Sequence, residues 1–310
     1  MTHTNLLEQF RLFYKKNYPD DMEIQIEYFS IFGGLDISID TSKPIQELIQ
    51  TIILKDFYRY NEKIRKLTHQ NKYAKRLLYA LAIGDRRIFS AFNRSNLNNQ
   101  NGGEALNYLK KNGVVQIEYS REEPARSLQP HGKLKKEIAR HRISHKVLFI
   151  EPFVRFWFYF VSKYTKDIQN GNYENFLENF TKKQHSYTSL VFEELSEILL
   201  NYHLRDSQIL SSGSYWDRNV EIDILTITKD EKKYVAECKW RNHKINKKEL
   251  HKLQDKCEKL HLVPNQIILF SKRGFSKELM QLQSTNLALY SCDDFELLVK
   301  SNYETFFNAL

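Results

Sequence analysis

The chain has 310 residues, and its 47 Lys and Arg outnumber 38 Asp and Glu for a formal net charge of +9. With 41% apolar and 13% aromatic residues it is not a disordered chain, and its length suits two domains or three segments better than a single core. Three cysteines without paired spacing (Cys238, Cys257, Cys292) argue against a disulfide framework and for a reducing cytoplasm. The most apolar run, Pro152 to Val161, is too short to span a bilayer and holds Arg155, so it reads as a buried helix and no membrane partner is expected.

In chain order, Leu6, Leu7, Phe10, Phe13 and Tyr14 recur at helical spacing over residues 4–18, and Pro19 ends that helix. No secretory leader is read, because Met-Thr-His-Thr-Asn opens the chain with no apolar core before Phe10. Glu23 to Ile39 reads as a strand-like segment broken at Gly33-Gly34. No Gly-Lys-Ser/Thr follows those glycines, so they make no phosphate loop, and no such loop is found elsewhere. Pro44 opens a helix over residues 44–66 with Leu48, Ile52 and Ile53 turned inward. Nothing in the pattern assigns a role to residues 1–70.

From Asn71 the pattern is that of a winged helix. Tyr73, Leu77, Leu78 and Leu81 form a stripe ended by Gly84, and Asp85 is placed to cap a second helix with Ile88 and Phe92. Asn101 and Glu104 read as the cap of a third helix, which stops at Asn112-Gly113. Val114 to Tyr119 is a strand, and His141-Arg142-Ile143 its expected returning partner. Between them lies a basic excursion with Lys133, Lys135, Lys136 and Arg140. The expectation is DNA contact, with Lys110 and Lys111 of the third helix near the groove and the basic excursion on phosphates. The alternative is a docking or dimerisation module, whose partner is another protein or a second copy of the chain.

After Arg142 the chain leads through a Pro152-Phe153 turn into an aromatic helix, whose rings stand at core spacing. A polar stretch at residues 169–175, then Lys182-Lys183-Gln184, suggests a domain boundary near residue 183. The expected units are thus 1–70, 71–183 and 184–310. In the last, Tyr187 to His203 is a helix, Ser207 to Ser212 a strand, Asn246 to Leu260 a basic helix and Gln266 to Phe270 a buried strand. Phe275 to Gln283, Leu287 to Tyr290 and a helix capped by Asp293 complete an α/β sandwich.

The richest stretch is Val220 to Trp240, two apolar strands around a charged turn at Lys229 to Lys232. Asp223 stands on the first strand and Glu237 and Lys239 on the second, where period two puts the last two on one face. If Asp223 lies across from Glu237, two carboxylates and an ammonium converge, a set suited to Mg²⁺ or Mn²⁺ and an activated water. A four-residue turn with plain pairing would instead oppose Asp223 to Cys238, so the site requires a three- or five-residue loop or a bulge. The alternative is a solvated hairpin with a cross-strand Glu-Lys pair. His141 and His145 share no metal on a strand, and His251, Cys257 and His261 do not converge on their helix.

Asp223 followed by Glu237-Cys238-Lys239 resembles the PD-(D/E)XK nuclease signature, with Ile222 in place of the proline. Val191-Phe192-Glu193-Glu194-Leu195 resembles the first helix of that fold. Tyr215-Trp216, Glu221-Ile222-Asp223-Ile224 and Glu237-Cys238-Lys239-Trp240 are similar to the C-terminal module of archaeal-type ATPases, a family of undefined function. There the module follows a winged helix and an ATPase, and the missing phosphate loop suggests a separately encoded ATPase partner. The resemblance implies a restriction-endonuclease-like fold that hydrolyses nucleic acid, and the basic balance makes DNA the expected substrate. Asp223, Glu237, Glu193 and the Cys238 carbonyl would hold the metal. Lys239 would position water, Arg241 the phosphate, and Gln254 would stand near the site. The other class is an inactive DNA-binding or docking protein.

Overall fold

The computed structural model describes residues 2–124 and 141–300, so Lys133, Lys135, Lys136 and Arg140 lie outside the described residues. Helix α1 (Thr2–Asn17) ends ahead of Pro19. The next segment corrects the strand-like reading: Met22–Phe32 is a helix, α2. Asp21 starts it by accepting a hydrogen bond from the Ile24 N–H at 2.7 Å. Ile26, Phe29, Ile31 and Phe32 are all fully buried, so α2 is enclosed on nearly every side. A helix apolar all round loses its 3.6-residue period, and β-branched and aromatic residues then imitate a strand. Beyond Pro44 the path is helical as expected, through α3 (Ile45–Leu48), a π turn over Ile49–Leu54 and α4 (Phe57–Thr68).

Helices α5 (Ala74–Ile83), α6 (Ile88–Arg94) and α7 (Asn99–Lys111) precede a two-stranded ribbon of β1 (Val115–Glu118) and β2 (Lys146–Phe149). This is the order of a winged helix. The ribbon is antiparallel, with Val115 opposite Phe149 and Glu118 opposite Lys146. The returning strand is therefore not His141–Ile143. Val147 and Phe149 supply the buried side chains, whereas His141 pairs with Glu122 at 2.7 Å. The cap of α7 is Asn98, which accepts from the Asn101 N–H at 2.8 Å, so Asn101 is the donor and not the cap. Asp85 precedes the cap of α6, bracing the Arg87 N–H and the Ser90 hydroxyl.

Helix α8 (Pro152–Phe156) continues through π and 3-10 turns to Tyr164, followed by α9 (Thr165–Gln169). Its aromatics are core: Phe153, Phe156 and Phe160 are fully buried, and Phe156 meets Phe176 and Phe180 edge-on. Helix α10 then runs unbroken for 30 residues, Glu174–His203. It passes straight through residue 183, because Phe176, Phe180 and Tyr187 keep one buried stripe while Thr181, Lys182 and Lys183 occupy the exposed face. The polar residues mark a helix surface and not a linker.

The remaining strands are β3 (Ile209–Ser211), β4 (Tyr215–Trp216), β5 (Glu221–Ile222), β6 (Ile224–Thr228) and β7 (Lys233–Lys239). Helix α11 (Lys247–Lys259), β8 (Gln266–Ser271), α12 (Lys277–Met280), β9 (Leu287–Ser291) and α13 (Glu296–Lys300) follow. A five-stranded mixed sheet has the order β3-β6-β7-β8-β9, antiparallel up to β7 and parallel beyond it. The cap after β9 is a reciprocal pair between Ser291 and Asp294, not Asp293.

The two faces of the sheet belong to different cores. Ile224, Ala236, Cys238, Trp240 and Phe270 join the large core that includes α10 and the N-terminal helices. Leu225, Val235 and Leu269 pack with Leu250 and Leu253 of α11. The N-terminal helices are tied to this end of the chain: Arg11 donates to the Leu298 carbonyl at 2.6 Å, and Lys272 meets Glu23 at 3.0 Å. No helix among the described residues is long and apolar enough to cross a membrane.

Candidate active site at the end of the central hairpin

The hairpin loop decides which side chains meet. Ile227 pairs with Lys233, and the Thr228 N–H then donates to the Lys232 carbonyl at 3.1 Å, which leaves only Lys229, Asp230 and Glu231 as loop. Glu231 takes a left-handed conformation with φ of 62°, which lets three residues close the turn. Up the hairpin, Leu225 faces Val235 and Ile224 faces Ala236. One more step of this register sets Asp223 against Glu237. Asp223 itself sits at a bend between β5 and β6. Its Oδ2 accepts from the Cys238 N–H at 2.8 Å. An extended residue sends N–H and C=O to the same side, so the Cys238 carbonyl is also turned towards Asp223.

Glu237 is 7% exposed and points towards α11. Its Oε1 accepts from Lys239 Nζ at 2.5 Å, and its Oε2 from Lys256 Nζ of α11 at 2.7 Å. Burial opposes the charge on Lys239, but Glu237 and Asp223 outweigh it and hold the ammonium above its usual range. Asp223 is pushed up to about 6 by burial and by the neighbouring Glu237, against the pull of Lys239 and the Cys238 N–H. On α10, Glu193 is pushed up to about 8 by burial and by Asp223. Asp223 thus links two acids in different layers, Glu237 on the side of α11 and Glu193 on α10. The Cys238 thiol, on the opposite face of β7 from Glu237, is held far above its ordinary range by burial and then by Asp223 and Glu193. Thiolate chemistry is therefore not its part.

Asp223 and Glu193 open into a cleft of about 190 Å³ that Arg86, Leu148, Glu194 and Ser214 also line. The winged-helix region forms one wall. Arg121 ties that wall to the sheet, donating to the Gly213 carbonyl at 2.6 Å, to Ser214 at 3.0 Å and to Leu225 at 2.9 Å. Buried Lys146 and Arg87 both hold Glu221, at 2.6 and 3.4 Å. Glu221, one step before the bend at Asp223, is thus committed to the winged-helix wall through Lys146 and Arg87.

Arg241 is about half exposed and sits 3.5 Å from Glu249. Gln254 is exposed and lines a separate shallow cleft with His251 and Val263, so the α11 side chain at the site is Lys256. Lys110 and Lys111 are exposed at the end of α7. Lys256, Arg86, Arg121 and Lys146 carry no mark in the sequence. Only the three-residue spacing of Leu253 and Lys256, which turns the lysine towards the sheet beside a buried leucine, could have drawn attention to one of them.

A family model, DUF234, described as archaea bacterial proteins of unknown function, matches residues 157–253. The match runs from the aromatic segment after α8 through α10 and the hairpin into α11, and so holds Glu193, Asp223, Glu237 and Lys239. No curated protein matches the chain. No solved structure matches it either.

Proposed function

We propose that this protein hydrolyses nucleic-acid phosphodiester bonds, with DNA as substrate and Mg²⁺ or Mn²⁺ as cofactor, at the Asp223 end of the hairpin. The observation that carries this reading is the electrostatic chain Glu193–Asp223–Glu237, with Lys239 on the last member. Acids that raise one another's proton affinity form a site whose charge suits a hard cation. As the side chains stand, no three His, Cys, Asp or Glu groups among the described residues close around a metal position. The donor chemistry nonetheless fits: Asp223, the Cys238 carbonyl beside it and Glu237 are oxygen donors at one strand end, with Glu193 from α10 next to Asp223. A cation held there would supply charge neutralisation on the phosphate. Lys239 keeps its proton, so its part is to orient a water or steady an oxyanion through its ammonium. Arg241, with its weak pairing, is free to turn to a phosphate.

A second reading has its own observation. Both oxygens of Glu237 are taken by lysines, a pattern that also suits a fold kept for binding or docking without catalysis, including beside a separate ATPase. The test is cleavage of single- and double-stranded DNA and RNA with Mg²⁺ or Mn²⁺. Asp223→Asn retains an acceptor for the Cys238 N–H and should abolish cutting, while nucleic-acid affinity stays equal or rises as one repelling charge is lost. Lys239→Ala should abolish cutting without that gain. A wild-type protein that cuts nothing and shows no cation binding by calorimetry leaves the binding module.

A further inference from the structure

A second cleft lies away from the hairpin, between α4, α5 and the segment that continues α8. It measures about 560 Å³ and is lined by Lys75, Arg76 and Lys163, by the polar groups of Asn61, Tyr79, Ser162 and Thr165, and by Ile64, Trp157 and Phe158. No carboxylate among the described residues lines it. Lys75 and Lys163 are exposed and have no ion pair among the described residues. Arg76 is set in advance: its Nη2 donates to the carbonyls of Ser95 at 2.6 Å and Asn96 at 3.3 Å, in the turn between α6 and α7. Asn96 holds that turn with a left-handed φ of 54°. A guanidinium fixed through one nitrogen keeps its remaining N–H groups in a constant direction, which suits a phosphate.

We propose that this cleft binds a nucleotide phosphate, seating it between Arg76, Lys75 and Lys163 with the base towards Tyr79 and the apolar floor of Trp157 and Phe158. The volume is large enough for one nucleotide, and the apolar floor distinguishes it from a plain basic surface. The source of the nucleotide is either a free mononucleotide or one residue of a single strand. The inference does not rest on the hydrolytic reading, since it concerns binding without metal at a different place.

The experiment uses the full chain in EDTA, with adenosine monophosphate and a fluorescent single-stranded oligonucleotide as probes. The cleft variant Lys75→Glu/Lys163→Glu is compared with Lys229→Glu/Lys259→Glu, exposed lysines at the hairpin loop and the end of α11, which changes the net charge equally. Thermal melting checks that both remain folded, as exposed positions should allow. The expected result is a loss of about tenfold or more in affinity for the cleft variant, with a smaller loss for the control variant. A loss on both probes assigns the cleft to a free nucleotide as well as a strand, and a loss on the oligonucleotide alone assigns it to a strand. Equal losses in the two variants, no loss in the cleft variant, or no binding of either probe by the wild type would overturn the proposal.

Discussion

Glu193 makes the sharpest prediction at the scale of single residues. Its pKa of about 8 in the fold lies above the ordinary glutamate value of 4.5, so the folded protein holds a proton that the unfolded chain releases. Stability from this group is therefore fullest below pH 4.5 and drains as pH rises towards 8. Glu193→Gln mimics the protonated acid. It should raise stability at the alkaline end by on the order of 2 kcal/mol, allowing for the shared charge of Asp223, and change little at the acid end. Melting curves at the two ends of that range check this, and an equal effect at both would remove the electrostatic account. Saturating Mg²⁺ should raise the wild-type melting temperature at neutral pH and shrink the gap to the variant if the cation takes these acids. Asp223, Glu237 and Lys239 were legible in the sequence because charge inside an apolar strand is costly enough to stand out. Lys256 and Arg121 were not, because a cation on a polar helix or in a polar loop looks like any other until packing brings it to a partner.

Among elements, the wall between the winged-helix region and the sheet hangs on Arg121. Its guanidinium serves the carbonyls of Gly213, Ser214 and Leu225, on both sides of the segment that delivers Asp223. Arg121→Ala should leave these acceptors short of donors and cost roughly 2–4 kcal/mol by chemical denaturation. Arg121→Lys should recover only part of this, since an ammonium lacks the planar fork. A loss below about 0.5 kcal/mol would show that water replaces the arginine without penalty. The order of strands and helices after residue 203 could be read because each apolar run there is short and bounded by polar turns. The hairpin register could be reduced to a choice of loop length, and the left-handed Glu231 makes the choice for three. Helix α2 was misread because burial on all sides removes the periodic signal, and β2 was misplaced by a few residues because the polar approach to it gives no start.

For the whole molecule, the division at residue 183 would cut α10 in two. The core that holds Phe180 and Tyr187 also holds Phe192 and, through it, Trp240 and Phe295 at ring distances of 5.1 and 5.2 Å. A fragment of residues 184–310 should therefore fail to give a cooperative thermal transition or dispersed amide resonances, because the N-terminal helices that cover its α10 face are gone. A fragment that folds as well as the full chain would show that the two cores are separable. This dependence bears on how such a chain is inherited. A thirty-residue helix that starts among one set of aromatic rings and ends beside the acids is a poor place for a recombination break. A gene exchange that moved the hairpin onto another N-terminal half would have to bring the whole of α10 and the rings of α8 with it, so descendants should trade these pieces together or not at all.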